Sequence, residues 1–186
     1  MNRKEWKGWN DLPKAIEGNT GRYPKYQEFM FNLLQATGIS KIHILEIGFN
    51  AGHSACCFLN AMPDATMMTF DICHHKTVAE GFKVLSDHFD IDLVAGDSTK
   101  TIPTFIKENP NVMFDFAFID GGHKGNIPLL DIQNVAPIVK VGGIMVIDDM
   151  NISDVVKAVG KFNWSDWETL EIPKIEKSIR VFKKIK

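Results

Sequence analysis

The sequence predicts a doubly wound α/β domain whose seven-stranded sheet is parallel except for a C-terminal antiparallel hairpin. Three observations carry this. Short β-branched and aromatic runs alternate with longer amphipathic stretches along the chain. Several of the short runs are apolar without polar alternation, as strands covered on both faces of a parallel sheet are. The last two runs lie too close together for a parallel return, which needs a long crossover, so they pair antiparallel.

Taken in order, a short helix around Leu12–Glu17 and a longer one over Pro24–Thr37 precede the first strand, Ile42–Ile47. A helix over Ser54–Ala61 leads to the second strand, Thr66–Ile72, and a helix over Thr77–His88 to the third, Ile91–Ala95. Thr101–Asn109 is the next helix, Phe114–Ile119 the fourth strand, Ile127–Ile138 a helix and Gly143–Ile147 the fifth strand. One more helix, Ile152–Phe162, comes before the hairpin of Trp167–Ile172 and Ser178–Lys183, whose turn contains Pro173. Ligands of such sheets bind at the carboxyl ends of the strands, where strand order reverses.

The 186 residues suit a single domain of roughly 100–200 residues, with 1–40 as N-terminal helices and 41–186 as the core. The 21 basic and 23 acidic side chains leave a formal charge of -2, which gives no reason to expect nucleic acid or an anionic membrane as partner. Three cysteines, two of them adjacent, make no disulfide framework and suit a reducing compartment. Apolar runs fall short of the about 18–20 residues that span a bilayer, and the first residues lack the apolar segment of a secretory signal. The expected location is cytoplasmic.

Between the first strand and its helix runs Glu46-Ile47-Gly48-Phe49-Asn50-Ala51-Gly52-His53-Ser54. Gly48 permits backbone conformations closed to other residues, and Gly52 lets a ligand approach the main chain. The helix N-terminus at Ser54 offers N–H groups to an anion. The turn lacks the Lys-Ser/Thr ending of a P-loop and the third glycine of the dinucleotide fingerprint. Glu46 adds negative charge where a pyrophosphate would sit, and suits a ligand with an ammonium group instead.

Asp120 ends the fourth strand, and Asp148 and Asp149 end the fifth, with no basic residue in either run. Converging carboxylates repel unless a cation or protons intervene, and a hard divalent ion such as Mg²⁺ is one solution. The other is that each aspartate is solvated or caps a helix. His123, in Asp120-Gly121-Gly122-His123-Lys124, has an unperturbed pKa of about 6.5 and can accept a proton near neutrality. Otherwise it hydrogen-bonds the loop backbone. Lys124 is the alternative base.

The run from Glu46 to Ala55 resembles the first motif of class I S-adenosylmethionine-dependent methyltransferases, most closely the catechol-type and macrocin-type O-methyltransferases. The resemblance covers about Ile42 to Ile152, and it implies their Rossmann-like fold, whose seventh strand is inserted antiparallel. It also implies that Gly48 and Gly52 line the methionine part of S-adenosylmethionine, that Ser54 and its helix hold the carboxylate, and that Glu46 lies near the sulfonium. Phe49, Asn50, His53 and Asp120 complete that wall. By the same resemblance Asp71 accepts the ribose hydroxyls, and Asp97 and Ser98 bracket the adenine. Taken by themselves, Asp71, Asp97 and Ser98 can equally be helix caps. The resemblance further implies that Asp120, Asp148 and Asp149 bind a divalent metal and that His123, or an aspartate, takes the proton of an acceptor hydroxyl on a small molecule or sugar.

Three other readings stay open: a metal-independent N- or C-methyltransferase, a non-catalytic S-adenosylmethionine-binding protein, and a dinucleotide or nucleotide-sugar oxidoreductase. Trp6, Trp9, Tyr23, Tyr26 and Phe29 are candidate acceptor-side aromatics, or else core or homodimer contacts. His74 and His75 read as a solvated loop near the adenosine.

Overall fold

The computed structural model describes residues 5–14 and 20–186. Half of the helix expected around Leu12–Glu17 lies outside the described residues, and Leu12–Lys14 are not helical. Helix α1 (Pro24–Gln35) opens on a proline, whose fixed φ suits a first helical position, and buries Tyr26, Met30 and Leu34 at intervals of four. Five strands then alternate with helices: β1 (His43–Ile47), α2 (His53–Ala61), β2 (Thr66–Asp71), α3 (Lys76–Ser86), β3 (Asp90–Ala95), α4 (Ser98–Glu108), β4 (Phe114–Ile119), α5 (Ile127–Val135) and β5 (Val139–Ile147). Helix α6 (Ser153–Lys161) precedes β6 (Trp167–Leu170) and β7 (Arg180–Lys184).

The sheet has seven strands in the order β3-β2-β1-β4-β5-β7-β6, with β7 antiparallel to both neighbours. Strand order therefore reverses between β1 and β4. Successive side chains of a strand enter opposite layers, and here both layers are apolar. Ile44, Phe116 and Phe118 pack on the layer of α1 and α2, while Leu45, Ala117 and Ile119 pack on the other. This two-sided burial is why the strands read as apolar runs.

Two element boundaries differ from expectation for visible reasons. β5 begins at Val139, ahead of Gly143, because Val139 pairs with Phe114 across a register shift that carries Phe116 onto Ile144. α4 begins at Ser98, ahead of Thr101, because the Asp97 carboxylate accepts the Thr99 N–H at 3.0 Å and caps the helix. Among the described residues no helix is long and apolar enough to cross a membrane.

Candidate active site

A cleft of about 660 Å³ opens at the carboxyl ends of the parallel strands, across the point where their order reverses. Its walls come from the β1–α2 turn, the ends of β2 and β3, and the segments after β4 and β5. Tyr23 and Lys177 close it from outside the sheet.

Gly48 is required by the protein itself. Its φ is +92°, and a Cβ there would lie 2.0 Å from the carbonyl oxygen of Asp120. The ends of β1 and β4 are drawn together by the Asp120 N–H, which donates to the Ile47 carbonyl at 2.9 Å. Gly52 is the left-handed N-cap of α2, where a Cβ would meet the Phe49 ring at 2.7 Å. Gly52 was expected to admit a ligand to the main chain. It does not line the cleft, and its missing side chain makes room for Phe49. The Phe49 ring is buried against Phe82, Asn50 accepts from the Thr77 hydroxyl at 3.2 Å, and His53 stands edge-on to Trp9. Burial lowers the His53 pKa.

Glu46 lies behind the turn, fully buried and absent from the cleft wall. The Ser54 hydroxyl donates to its Oε1 at 2.5 Å and the Thr69 hydroxyl to its Oε2 at 2.9 Å. Burial pushes the Glu46 carboxyl up to about 8 against those two hydrogen bonds. Glu46 thus ties β1, β2 and α2 together, and the Ser54 hydroxyl proton is committed to it.

Asp71 does face the cleft. Its Oδ2 accepts the Phe49 and Asn50 N–H groups, each at 2.9 Å, and its Oδ1 accepts the Cys73 N–H at 2.7 Å. The carboxylate therefore fixes the shape of the turn, and with about four lone-pair positions it keeps one for a ligand. Ser98 lines the cleft beside Asp97, which accepts the Thr99 hydroxyl at 2.6 Å. Those bonds hold the Asp97 carboxyl below its usual value.

At the other end of the cleft His123 Nε2 stands 3.4 Å from Asp120 Oδ1 and 3.1 Å from Asp149 Oδ2. Hydrogen bonding to Asp120 raises the His123 pKa, against its partial burial, and the charges of Asp120 and Asp149 add to the rise. The Asp120 carboxyl is itself raised, chiefly by burial, with His123 and Lys177 opposing. One ligand atom each from Asp120, His123 and Asp149 lies within 4.8 Å of the others.

The carboxylate set expected to converge is not the one assembled. Asp148 turns away from that cluster, with 1% of its side chain exposed, and accepts the Lys177 ammonium on Oδ2. Its Oδ1 takes the Asp149 N–H at 2.7 Å. Burial and Asp120 push the Asp148 carboxyl up, while Lys177 works against them. Burial disfavours the charged form of Lys177, but Asp120, Asp148 and Asp149 outweigh it and keep the ammonium. Lys124, the alternative base, is exposed and outside the cleft wall. Of the candidate aromatics Tyr23 reaches the cleft, Tyr26 is fully buried, and Trp6, Trp9 and Phe29 pack on the core.

Lys177 is the residue that sequence reasoning missed. Its signal was indirect: unneutralised carboxylates ask for a cation, and only the position of β7 beside β5 brings the β6–β7 connection over Asp148.

A family described as a methyltransferase domain matches residues 45–150, more than half of the chain. No curated protein matches the sequence. Among solved structures, the O-methyltransferase TomG from Streptomyces achromogenes, involved in tomaymycin synthesis, superposes with a TM-score of 0.72 at 18% identity, over 98% of this chain and 88% of that one. CalS11, a TDP-rhamnose 3′-O-methyltransferase of calicheamicin biosynthesis, gives 0.72 at 16% identity over 86% and 79%. The O-methyltransferase from Bacillus cereus, solved with S-adenosylhomocysteine, gives 0.71 at 17% over 94% and 86%. With the glycine turn, the strand-end aspartates and the inserted antiparallel β7 in place, the chain belongs to the methyltransferase-domain family, as a class I S-adenosylmethionine-dependent enzyme.

Proposed function

We propose that this enzyme methylates a hydroxyl of a small molecule or sugar, with His123 as the base. The observation that carries the reading is the placing of His123 between Asp120 and Asp149 at one end of a cleft whose other end is lined by Asp71, Asp97 and Ser98. TomG, CalS11 and the Bacillus cereus enzyme are O-methyltransferases, and the acceptor named for CalS11 is a sugar hydroxyl, which agrees with it.

The residues present fit S-adenosylmethionine. The first turn of α2 points N–H groups at the place for its carboxylate, Asp71 keeps an acceptor position for a ribose hydroxyl, and Asp97 and Ser98 flank the place for adenine. When bound, the cofactor supplies a sulfonium methyl that an acceptor oxygen takes, the electron pair of the broken C–S bond staying on sulfur. The His123 imidazole receives the hydroxyl proton, and Asp120 and Asp149 beside its Nε2 stabilise the imidazolium so formed. Tyr23 and Ile152 confine the acceptor side of the cleft. The protein's contribution is mainly positioning, since in-line attack needs the two reacting atoms about 3–3.5 Å apart.

The divalent ion of the related metal-dependent enzymes would call on Asp120, Asp148 and Asp149. As a set these residues do not fit it, because Asp148 is occupied by Lys177 and by the Asp149 N–H. A second reading rests on the Asp120, His123 and Asp149 cluster, whose ligand atoms are close enough for one divalent ion. In it His123 is a ligand, and chelation with EDTA abolishes turnover.

The test is an S-adenosylhomocysteine-release assay over a panel of phenols and sugar hydroxyls, with the product located by mass spectrometry. An O-methyl product formed in EDTA supports the first reading. Methyl on nitrogen or carbon, or cofactor binding with no turnover on any acceptor, defeats it.

A further inference from the structure

We infer that Lys177 is the resident cation of the acceptor site: its ammonium occupies the place beside Asp148 that a metal ion would take, and so withdraws one carboxylate from any metal. This rests on the methyltransferase reading, and names what neutralises that site.

Lys177 is held from three directions. Its ammonium is bound to Asp148, and the Tyr26 and Tyr23 ring centroids lie 5.3 and 6.0 Å from its Nζ. The side chain is 11% exposed, and what remains open faces the cleft. Next to it, Glu176 accepts the backbone N–H groups of Lys25 at 3.3 Å and Tyr26 at 3.0 Å, which fastens the β6–β7 connection to the start of α1. The lysine is therefore seated by Asp148, by the two tyrosine rings and by the fastened Glu176 beside it, and is not an extended surface chain that happens to reach a carboxylate.

An ammonium and a divalent ion answer the same charge differently. The ion gathers several oxygens at once and polarises a bound hydroxyl. The ammonium has three N–H donors and no open coordination sites, so it can satisfy Asp148 and still direct a donor at an acceptor oxygen in the cleft. Asp148 and Lys177 together carry no net charge, which leaves Asp120 and Asp149 flanking His123.

The experiment uses Mn²⁺ alone as probe, counted by electron paramagnetic resonance in the protein both without and with S-adenosylhomocysteine. Lys177→Met uncovers Asp148 and is expected to tighten Mn²⁺ at least tenfold over wild type. Adding Asp148→Asn to that variant is expected to cancel the gain. Lys177→Gln serves if Lys177→Met does not fold. Wild-type protein gives an independent readout: the side-chain N–H resonance of Lys177 should stay in place under excess Mg²⁺. No gain in either lysine variant, a gain that survives Asp148→Asn, or a Lys177 resonance displaced by Mg²⁺ overturns the inference. Calorimetry with S-adenosylhomocysteine on the wild type separates the two levels, because its failure would sink the methyltransferase reading while leaving the Mn²⁺ comparison intact.

Discussion

Replacing Asp71 by alanine removes acceptors from three backbone N–H groups at once, those of Phe49, Asn50 and Cys73. A hydrogen bond to a charged group contributes about 1.5–3 kcal/mol, but these donors sit at a cleft wall where water can replace part of the loss. A net destabilisation of about 2–4 kcal/mol follows for the three together. In a chain of this size each kcal/mol lowers Tm by about 2–4 °C, so differential scanning calorimetry will resolve it. Cofactor affinity suffers separately. If the remaining acceptor position of Asp71 holds a ribose hydroxyl, its loss costs about 1.5–3 kcal/mol, or about 10- to 150-fold in Kd for S-adenosylhomocysteine. Titration calorimetry well below the variant's Tm measures that directly. Asp71→Asn keeps the size but meets one N–H with an N–H of its own, so it should fall between alanine and wild type. An Asp71→Ala variant that binds S-adenosylhomocysteine at the wild-type Kd would refute the assignment, whatever its stability.

His123→Ala should lower turnover by about 10²–10⁴-fold and leave cofactor affinity unchanged, as read from single-turnover kinetics and calorimetry. Because its neighbours raise the His123 pKa, the active neutral form accumulates only above the ordinary value of about 6.5, and turnover should rise with pH through that shifted range. The same contacts stabilise the fold below the unfolded value and are lost as pH climbs through the folded one, a slope that His123→Ala should erase from urea titrations. Gly48→Ala combines a positive φ with a Cβ 2.0 Å from a carbonyl oxygen and should cost about 3–5 kcal/mol or prevent folding, as judged by circular dichroism. Glu46 keeps its proton when folded to about 8 and loses it near 4.5 when unfolded, so stability should fall as pH rises between those values. Glu46→Gln should flatten that fall in denaturant titrations across the interval.

Much of this fold was legible because its strands are buried on both faces. Phe114–Ile119 could hardly be anything else, and β4 matches it to the residue. The start of β5 was hidden because Lys140 and the two glycines after Val141 interrupt the apolar run, and the register shift that absorbs them depends on β4. The cleft wall around the β1–α2 turn was legible because it is local. Asp71 reaches Phe49 and Asn50 across 22 and 21 residues, within one strand–helix–strand unit. What each glycine is for was not legible: Gly48 answers to a carbonyl 72 positions later in the chain, which no local pattern shows. The acceptor end was read least well. Its charge balance depends on a lysine in the hairpin connection, 29 residues beyond Asp148, that only strand pairing brings into place.

The bonds from Glu176 to the start of α1 join residues 150 and 151 positions apart, whereas those of Asp71 close within a single crossover. Ordering so long a loop costs more entropy than ordering a short one, though the increase is only logarithmic. The two ends of the cleft therefore differ in how they come into being. The Asp71 side can be laid down while the chain is still emerging, but the Lys177 side needs Lys25 and Tyr26 together with Glu176. Substitutions that loosen Glu176 from Lys25 and Tyr26 should be felt first at Lys177 and Asp148, in a protein whose β1–α2 turn stays intact.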